Sequence, residues 1–496
     1  MRFPGFVGPS YVSQSVRFAD QQCMNWYVEN IEVGDETFQT ALYPTPGVTS
    51  FATATESPVR GMIEQNGRCF AAIGHTLYEV KTNGTLTTVG TITDDAHNTP
   101  STFAASVYFE TPSDNELFLT SGNKGYVITL SDTATVAEAL DSGGSSLNVS
   151  QVEFLDGYFL ALDPESSTLK ISDLNDGTTW PASQVAQRTA GGDKWQAVVV
   201  AHRDIWLFGK QTTEVWYNAG TSPFPFAPVP GSVFGYGTSA PYSVKLAGDK
   251  MMWLSQTAEG TGIVVAATGL VPQRVSSYAV ETAIAGYART SKITDAEAVV
   301  YSDQGHTFYC LTFPSAGATW VFDLSTGLWH ERGVWDVSSG SYAIWGPRSH
   351  CYAFGKHLVA DRTTGALCSM DTALTTECNG DLIRRLRVPP PLWLQPGAAR
   401  RLFVSRLELF LEPGLGTAAG QGVDPQVMMR TSTDLKTWSN TQLASAGAQG
   451  TFGTRVYWTR LASSDRAWVP EVTVTDPIPW RIVGADVEGR NIQGRD

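Results

Sequence analysis

The chain has 496 residues and a mass of 53.6 kDa, with 42% hydrophobic and only 17% charged residues. Such a chain can bury a sizeable core, and its aromatic content of 11% excludes a disordered acidic tail. The 48 acidic against 34 basic side chains leave a net charge of −14, which excludes a body built to grip phosphates by charge neutralisation.

The first segment, MRFPGFVGPSYVSQS, is broken by Pro and Gly before an apolar run can form, so it predicts no secretory signal. No apolar window is long enough to predict a membrane helix. Residues 1–55 read as an extended arm that ends in a Thr45-Pro46-Gly47 turn. From residue 56 to 374 short β-rich runs alternate with turn signals. RGMIEQ, RCFAAIG, TLYEVKT and TLTTVGTI follow one another, with Asn66-Gly67 and Asn83-Gly84 between them. Asn-Gly favours two-residue hairpins because both residues accept positive φ. The same grammar returns in 107–130, 152–174 (with Asp156-Gly157), 195–218, 242–268, 298–331 and 341–367. Four strands every 40–50 residues is the pitch of β-propeller blades. Seven units can be counted, or six if one is an insertion. TATVAEALD (133–141) is the one stretch with a helical pattern. Residues 221–237 are too proline-rich for a central strand and predict an irregular loop over a neighbour.

Residues 375–496 read as a linker and a second β-domain. Arg384, Arg385 and Arg387, followed by Pro389-Pro390-Pro391, suit a stiff exit linker with a solvated basic face. The remaining strands suit a small β-sandwich. A closed ring brings its ends together, so the arm and the tail are expected to build this second domain jointly. The fold class is therefore all-β, a propeller of six or seven four-stranded blades with a sandwich-like partner.

Chemistry is hard to find. The chain has no G-x-S-x-G, P-loop, G-x-G-x-x-G or H-E-x-x-H. His350, Cys351, His357, Cys368 and Cys378 match no zinc spacing, so no metal and no cofactor is expected. All six cysteines, including Cys23, Cys69 and Cys310, read as reduced thiols of a protein made in a cytoplasm. Asp163 and Glu165 read as a polar hairpin tip rather than a glycosidase pair. Two turns resemble the sialidase-type S-x-D-x-G-x-T-W: DLNDGTTW (Asp173, Asn175, Gly177, Thr179, Trp180) and TSTDLKTW (Thr431, Thr433, Thr437, Trp438). Both read as fold markers. The candidate assembly interface comprises Arg384, Arg385, Arg387, Phe224 and Phe226.

Ordered motifs across the chain carry a resemblance. Gln21 or Gln22, Asn25, Trp26, Tyr27 and Glu29 precede the Thr45-Pro46-Gly47 turn. Gly209, Thr213, Glu214, Val215, Trp216 and Tyr217 form a central signature, followed by VPQRVSSYAVETAI. TSTDLKTWSN, TRVYWTRL and TDPIPWRIVGADVE close the chain. This order, from about residue 6 to 488, resembles the tail hub or nozzle proteins of short-tailed bacteriophages, also called packaged-DNA stabilization or tail accessory proteins. One departure is Leu435, where the family usually carries glycine. The resemblance implies a non-enzymatic virion component, assembled in the host cytoplasm. It implies a homohexameric ring below the portal, with partners in the adaptor protein, a tailspike or fibre, and a needle or tip protein. Viral double-stranded DNA would pass through without sequence-specific binding, past an acidic wall. The rival readings are a propeller glycoside hydrolase or lyase and a glycan-binding module, both acting on bacterial surface polysaccharide.

Overall fold

A computed structural model describes residues 1–12, 20–30, 40–93, 99–106, 115–163, 167–188, 192–256, 262–393, 401–464 and 467–492. Seven four-stranded antiparallel units follow one another in it. The first six occupy 59–91, 103–138, 151–187, 195–234, 245–274 and 297–332. The seventh is built from Pro347–Ala353, Lys356–Asp361 and Ala366–Asp371, and its outermost strand is Gly47–Thr53 from the other end of the chain.

Both faces of each blade are covered by neighbours, so the middle strands are continuously apolar rather than alternating. Cys69-Phe70-Ala71-Ala72-Ile73 is an example in which every residue is buried. Phe70 and Ala72 point to the second blade, where they meet Leu117 and Leu119. Cys69, Ala71 and Ile73 point to the seventh, where they meet Leu358 and Ala360. Seven such clusters lie between the seven blades, one at each junction. A row with two free ends would have six junctions, so this count closes the ring. The innermost strands confirm the closure, because Pro347–Ala353 of the last blade lies against Val59–Gln65 of the first.

The second domain is a sandwich drawn from both ends of the chain. One layer is a five-stranded sheet, in which Trp26–Asn30 and Thr40–Pro44 join Ile482–Ile492, Arg401–Leu411 and Val456–Ser464. The other layer continues the sixth blade. Beyond Leu328–Arg332 come Gln22–Met24, Arg385–Val388, Ala467–Val474, Gln426–Ser432 and Gln442–Ser445, giving a ten-stranded sheet when Leu392–Trp393 is included. Phe3, Phe6, Trp26, Trp468 and Trp480 fill the space between the layers.

Three expectations are corrected by the observed elements. Arg385–Val388 is no linker but a strand paired on both sides, with Gln22–Met24 and Ala467–Val474. Within 221–237, Phe226–Phe234 is the outermost strand of blade four, where the edge position tolerates its prolines. In 133–141 the chain forms the strand Thr135–Glu138, not a helix. A helix, Tyr278–Thr290, lies instead between blades five and six, capped by the Ser277 side chain. It buries Val280, Ala283 and Ile284 at helical spacing.

Candidate functional site

A set of buried polar contacts lies where the arm passes between blade six, blade seven and the sandwich. Asn25 sits at φ 61, a left-handed conformation that asparagine tolerates better than most residues. Its amide donates to the carbonyls of Gly333 and Arg384, both at 2.8 Å, and accepts from the Gly333 amide at 3.0 Å. Trp26 and Tyr27 then point to opposite sides, Trp26 into the sandwich core and Tyr27 against Phe308 of blade six. The Thr45-Pro46-Gly47 turn is held by two arginines. Arg332 donates to the Pro46 carbonyl and lies 3.9 Å over the Trp345 ring. Arg385 reaches the Thr45 carbonyl at 3.5 Å. Gly47 must be glycine, because a Cβ there would stand 2.5 Å from the backbone of Leu374.

Arg387 anchors the first turn of the arm. It is fully buried and donates to the carbonyls of Phe6 (2.6 Å), Gly5 (2.8 Å), Pro9 (3.1 Å) and Gln22 (3.3 Å) and to the Gln21 side chain (3.2 Å). Burial pulls Arg385 and Arg387 down to about 10, opposed by Glu377 beside Arg385 and by Cys23 beside Arg387. Both therefore remain cations at neutral pH. Burial raises Glu377 to about 7 against the nearby Arg332 and Arg385.

A second polar cluster belongs to blade four. Arg188 donates to Glu214 at 2.7 Å and pairs with Asp193 at 2.9 Å, and Trp216 donates to Glu214 at 3.3 Å. It ties the end of blade three to the strands of blade four.

Two clefts of about 340 and 350 Å³ flank the inter-domain sheet and share Gln22, Glu331, Arg430 and Glu471. Burial raises Glu331 to about 7, while the Ser10 hydroxyl donates to it at 2.8 Å. Arg430 grips Glu471 with two bonds of 2.7 Å. The strands that carry the two carboxylates are three steps apart in the sheet, about 14 Å at the usual strand spacing. A glycosidase pair has its carboxyls about 5–10 Å apart, closer than these two strands stand, and Glu471 is already held by Arg430.

A family model described as the β-propeller of bacteriophage P22 Gp10 matches residues 1–375, and one described as its β-sandwich matches residues 393–490. The chain belongs to the P22 Gp10 family. That makes it a relative of a phage tail protein. The first match spans the arm together with the ring, and the second spans the sandwich strands that follow the ring. A comparison with curated proteins finds no match. Among solved structures, virginiamycin B lyase from Staphylococcus aureus is 9% identical with a TM-score of 0.42, over 66% of this chain and 99% of its own. The extracellular domain of a putative hybrid two-component system from B. thetaiotaomicron is 7% identical with a TM-score of 0.42, over 75% of this chain and 45% of its own.

The residues that carried the resemblance to the Gp10 family are thus the arm's fastenings and the blade-four cluster. Leu435 takes φ 58, which explains why glycine suits that turn. In the turn itself Asp434 accepts from the amides of Lys436 and Thr437. In DLNDGTTW the organising carboxylate is Asp176, which accepts from Thr178 and Thr179, while the buried Trp180 donates to the Gly177 carbonyl at 2.8 Å. Both turns are structural.

The structure scatters the candidate interface residues. Arg385 and Arg387 are interior, and their guanidiniums serve this chain's own carbonyls. Arg384 lies 4.0 Å over Trp335. Phe226 is buried and Phe224 half-buried in the junction of blades three and four. The solvated basic face is therefore corrected: two of its three arginines alternate inward along a strand. Asp163 pairs with Lys170 at 3.5 Å, and Glu165 lies outside the described residues. Among the described residues no group of three or more His, Cys, Asp or Glu is placed to hold a metal. His350 instead meets His357 at 3.0 Å. Cys368 and Cys378 form a disulfide, which corrects the expectation of six free thiols. The loop after blade seven folds back on Val48 and brings Cys378 to that blade's third strand.

Proposed function

We propose that this chain is a structural ring component of a short phage tail. Copies of it extend the portal–adaptor channel, hold packaged DNA in the head and give it a path out, with tailspikes or fibres attached outside. The family match over both domains carries this reading. Three features support it. The ring and the sandwich share one continuous sheet, which suits a part that transmits load without flexing. The buried polar clusters are spent on holding the chain together. The net charge of −14 suits a wall that repels phosphates and lets DNA slide.

The test is to assemble particles without this protein and image them. Empty heads lacking the distal tail are the expected outcome. Filled heads that keep their DNA and eject it normally would overturn the proposal.

A further inference from the structure

Four of the six cysteines gather at one place, the blade that closes the ring. Cys368 and Cys378 are already bonded there, tying the third strand of blade seven to the loop that clamps the incoming arm. The other two face each other across the next junction. Cys69 lies on the second strand of blade one and Cys351 on the innermost strand of blade seven, with their sulfurs 3.9 Å apart. Both belong to the apolar cluster between these blades. Cys69 is fully buried and Cys351 is half-buried, so an oxidant meets Cys351 first. Cys23 and Cys310 are buried and unbonded, Cys310 in the same core cluster as the Cys368–Cys378 pair.

We infer that Cys69 and Cys351 are a redox site at the ring seam, which a peroxide converts into a second disulfide joining the last blade to the first. The step balances. The Cys351 thiolate attacks one peroxide oxygen, the O–O bond breaks, and the sulfenic acid forms as hydroxide leaves. The Cys69 thiolate then attacks the Cys351 sulfur and displaces the second oxygen as water. Two thiols and one hydrogen peroxide give one disulfide and two waters. The sulfurs must close by ~1.9 Å to reach bonding distance.

The closed loop would run from residue 69 to 351, through nearly the whole propeller. Such a long loop is where a cross-link most restricts the unfolded chain. The Cys69 thiol and burial hold the Cys351 thiol well above its ordinary range. It is therefore neutral in a reducing cytoplasm, and the bond forms slowly, faster as pH rises. The ring would be assembled with an open seam and locked after exposure to an oxidising medium. This holds whatever the ring is used for.

The experiment uses the full chain. It is reduced, treated with hydrogen peroxide, alkylated and digested without reductant for mass spectrometry. The expected result is a peptide pair joining Cys69 to Cys351 alongside Cys368–Cys378. A thermal midpoint several degrees above that of the reduced protein should accompany it and be reversed by dithiothreitol. Cys351→Ser should lose the linked pair and part of that rise while retaining the Cys368–Cys378 link. Should that variant not fold, the wild-type map still decides. Alkylation of both thiols after Cys368–Cys378 has closed would overturn the inference. So would oxidation that stops at Cys351 sulfinic acid, or at Met62, whose sulfur lies 3.3 Å from that of Cys351.

Discussion

His306 stands between two carboxylates from different parts of the chain. Its Nδ1 is 2.8 Å from Asp323, on its own blade, and its Nε2 is 2.8 Å from Glu29, on the arm. Both nitrogens can donate only in the imidazolium form. The bond to Asp323, opposed by burial and reinforced by Glu29, raises His306 to about 9. Asp323 is correspondingly lowered, by His306, Thr326 and the Ser325 amide against its burial. His330 behind them is held neutral by burial, near 3, and adds no charge at neutral pH. Because the folded value lies above the unfolded one of about 6.5, the imidazolium's contribution is fully present below pH 6.5. It is lost as pH rises through 9. Stability to denaturant should therefore decline between pH 7 and 9.5. In His306→Gln, which keeps a donor but cannot titrate, that decline should flatten. Equal slopes for the two proteins in urea titrations across this range would refute the assignment.

The strands show where sequence speaks clearly and where it is silent. Asn66-Gly67 and Asp156-Gly157 have positive φ at both positions, as their hairpins demand. Blade four makes the equivalent turn with His202 (φ 53) and Arg203 (φ 68), residues that give no turn signal. There the hairpin is dictated by the flanking strands, Trp195–Ala201 and Asp204–Gly209, which pair Ala201 with Asp204. The strain should be recoverable. His202→Asn with Arg203→Gly should stabilise the protein by ~1 kcal/mol, seen as a higher denaturant midpoint. The exposed Arg203–Asp156 pair that is lost is worth at most about that amount, so a net loss would show that the strain in the left-handed turn is smaller than that pair is worth. Other features have no local signal. Gly47–Thr53 finds its partner more than 300 residues away, and nothing near it in sequence says that it completes a blade. Arg385 and Arg387 read as solvated because charge usually is. Their spacing of two, with Leu386 between them and Val388 after, was the available hint of a strand with one polar face. In the helix, Val280, Ala283, Ile284 and Tyr287 carry the 3.6-residue period, and that signal was there to be read. The arm's motif of Asn25, Trp26 and Tyr27 was visible as a pattern. Its role as a fastening depends on carbonyls from residues 333 and 384 that only the fold brings near.

At the scale of the whole molecule, the joint between ring and sandwich decides how the protein comes apart. Two domains joined by a flexible linker would melt separately. Here Gln22–Met24 pairs in parallel with the last strand of blade six and antiparallel with Arg385–Val388, so the sheet crosses the boundary without a break. The arm adds two strands to the five-stranded layer of the sandwich, one to the sheet shared with blade six and one to blade seven, and neither unit can lose it and remain whole. Ring and sandwich should therefore unfold in one calorimetric transition. Arg387 is the residue at which to cut the coupling. Arg387→Ala removes the donor shared by four arm carbonyls and leaves that of Phe6 buried without it, a cost of about 1–3 kcal/mol at the usual penalty for such a group. The loss should fall first on the arm. A lower-temperature transition should separate from the main one, and protease should cut within the first residues before the ring is touched. Two transitions in the unaltered protein would mean that the shared sheet does not couple the domains. A single shifted transition in the variant would mean that Arg387 stabilises the whole body rather than the arm.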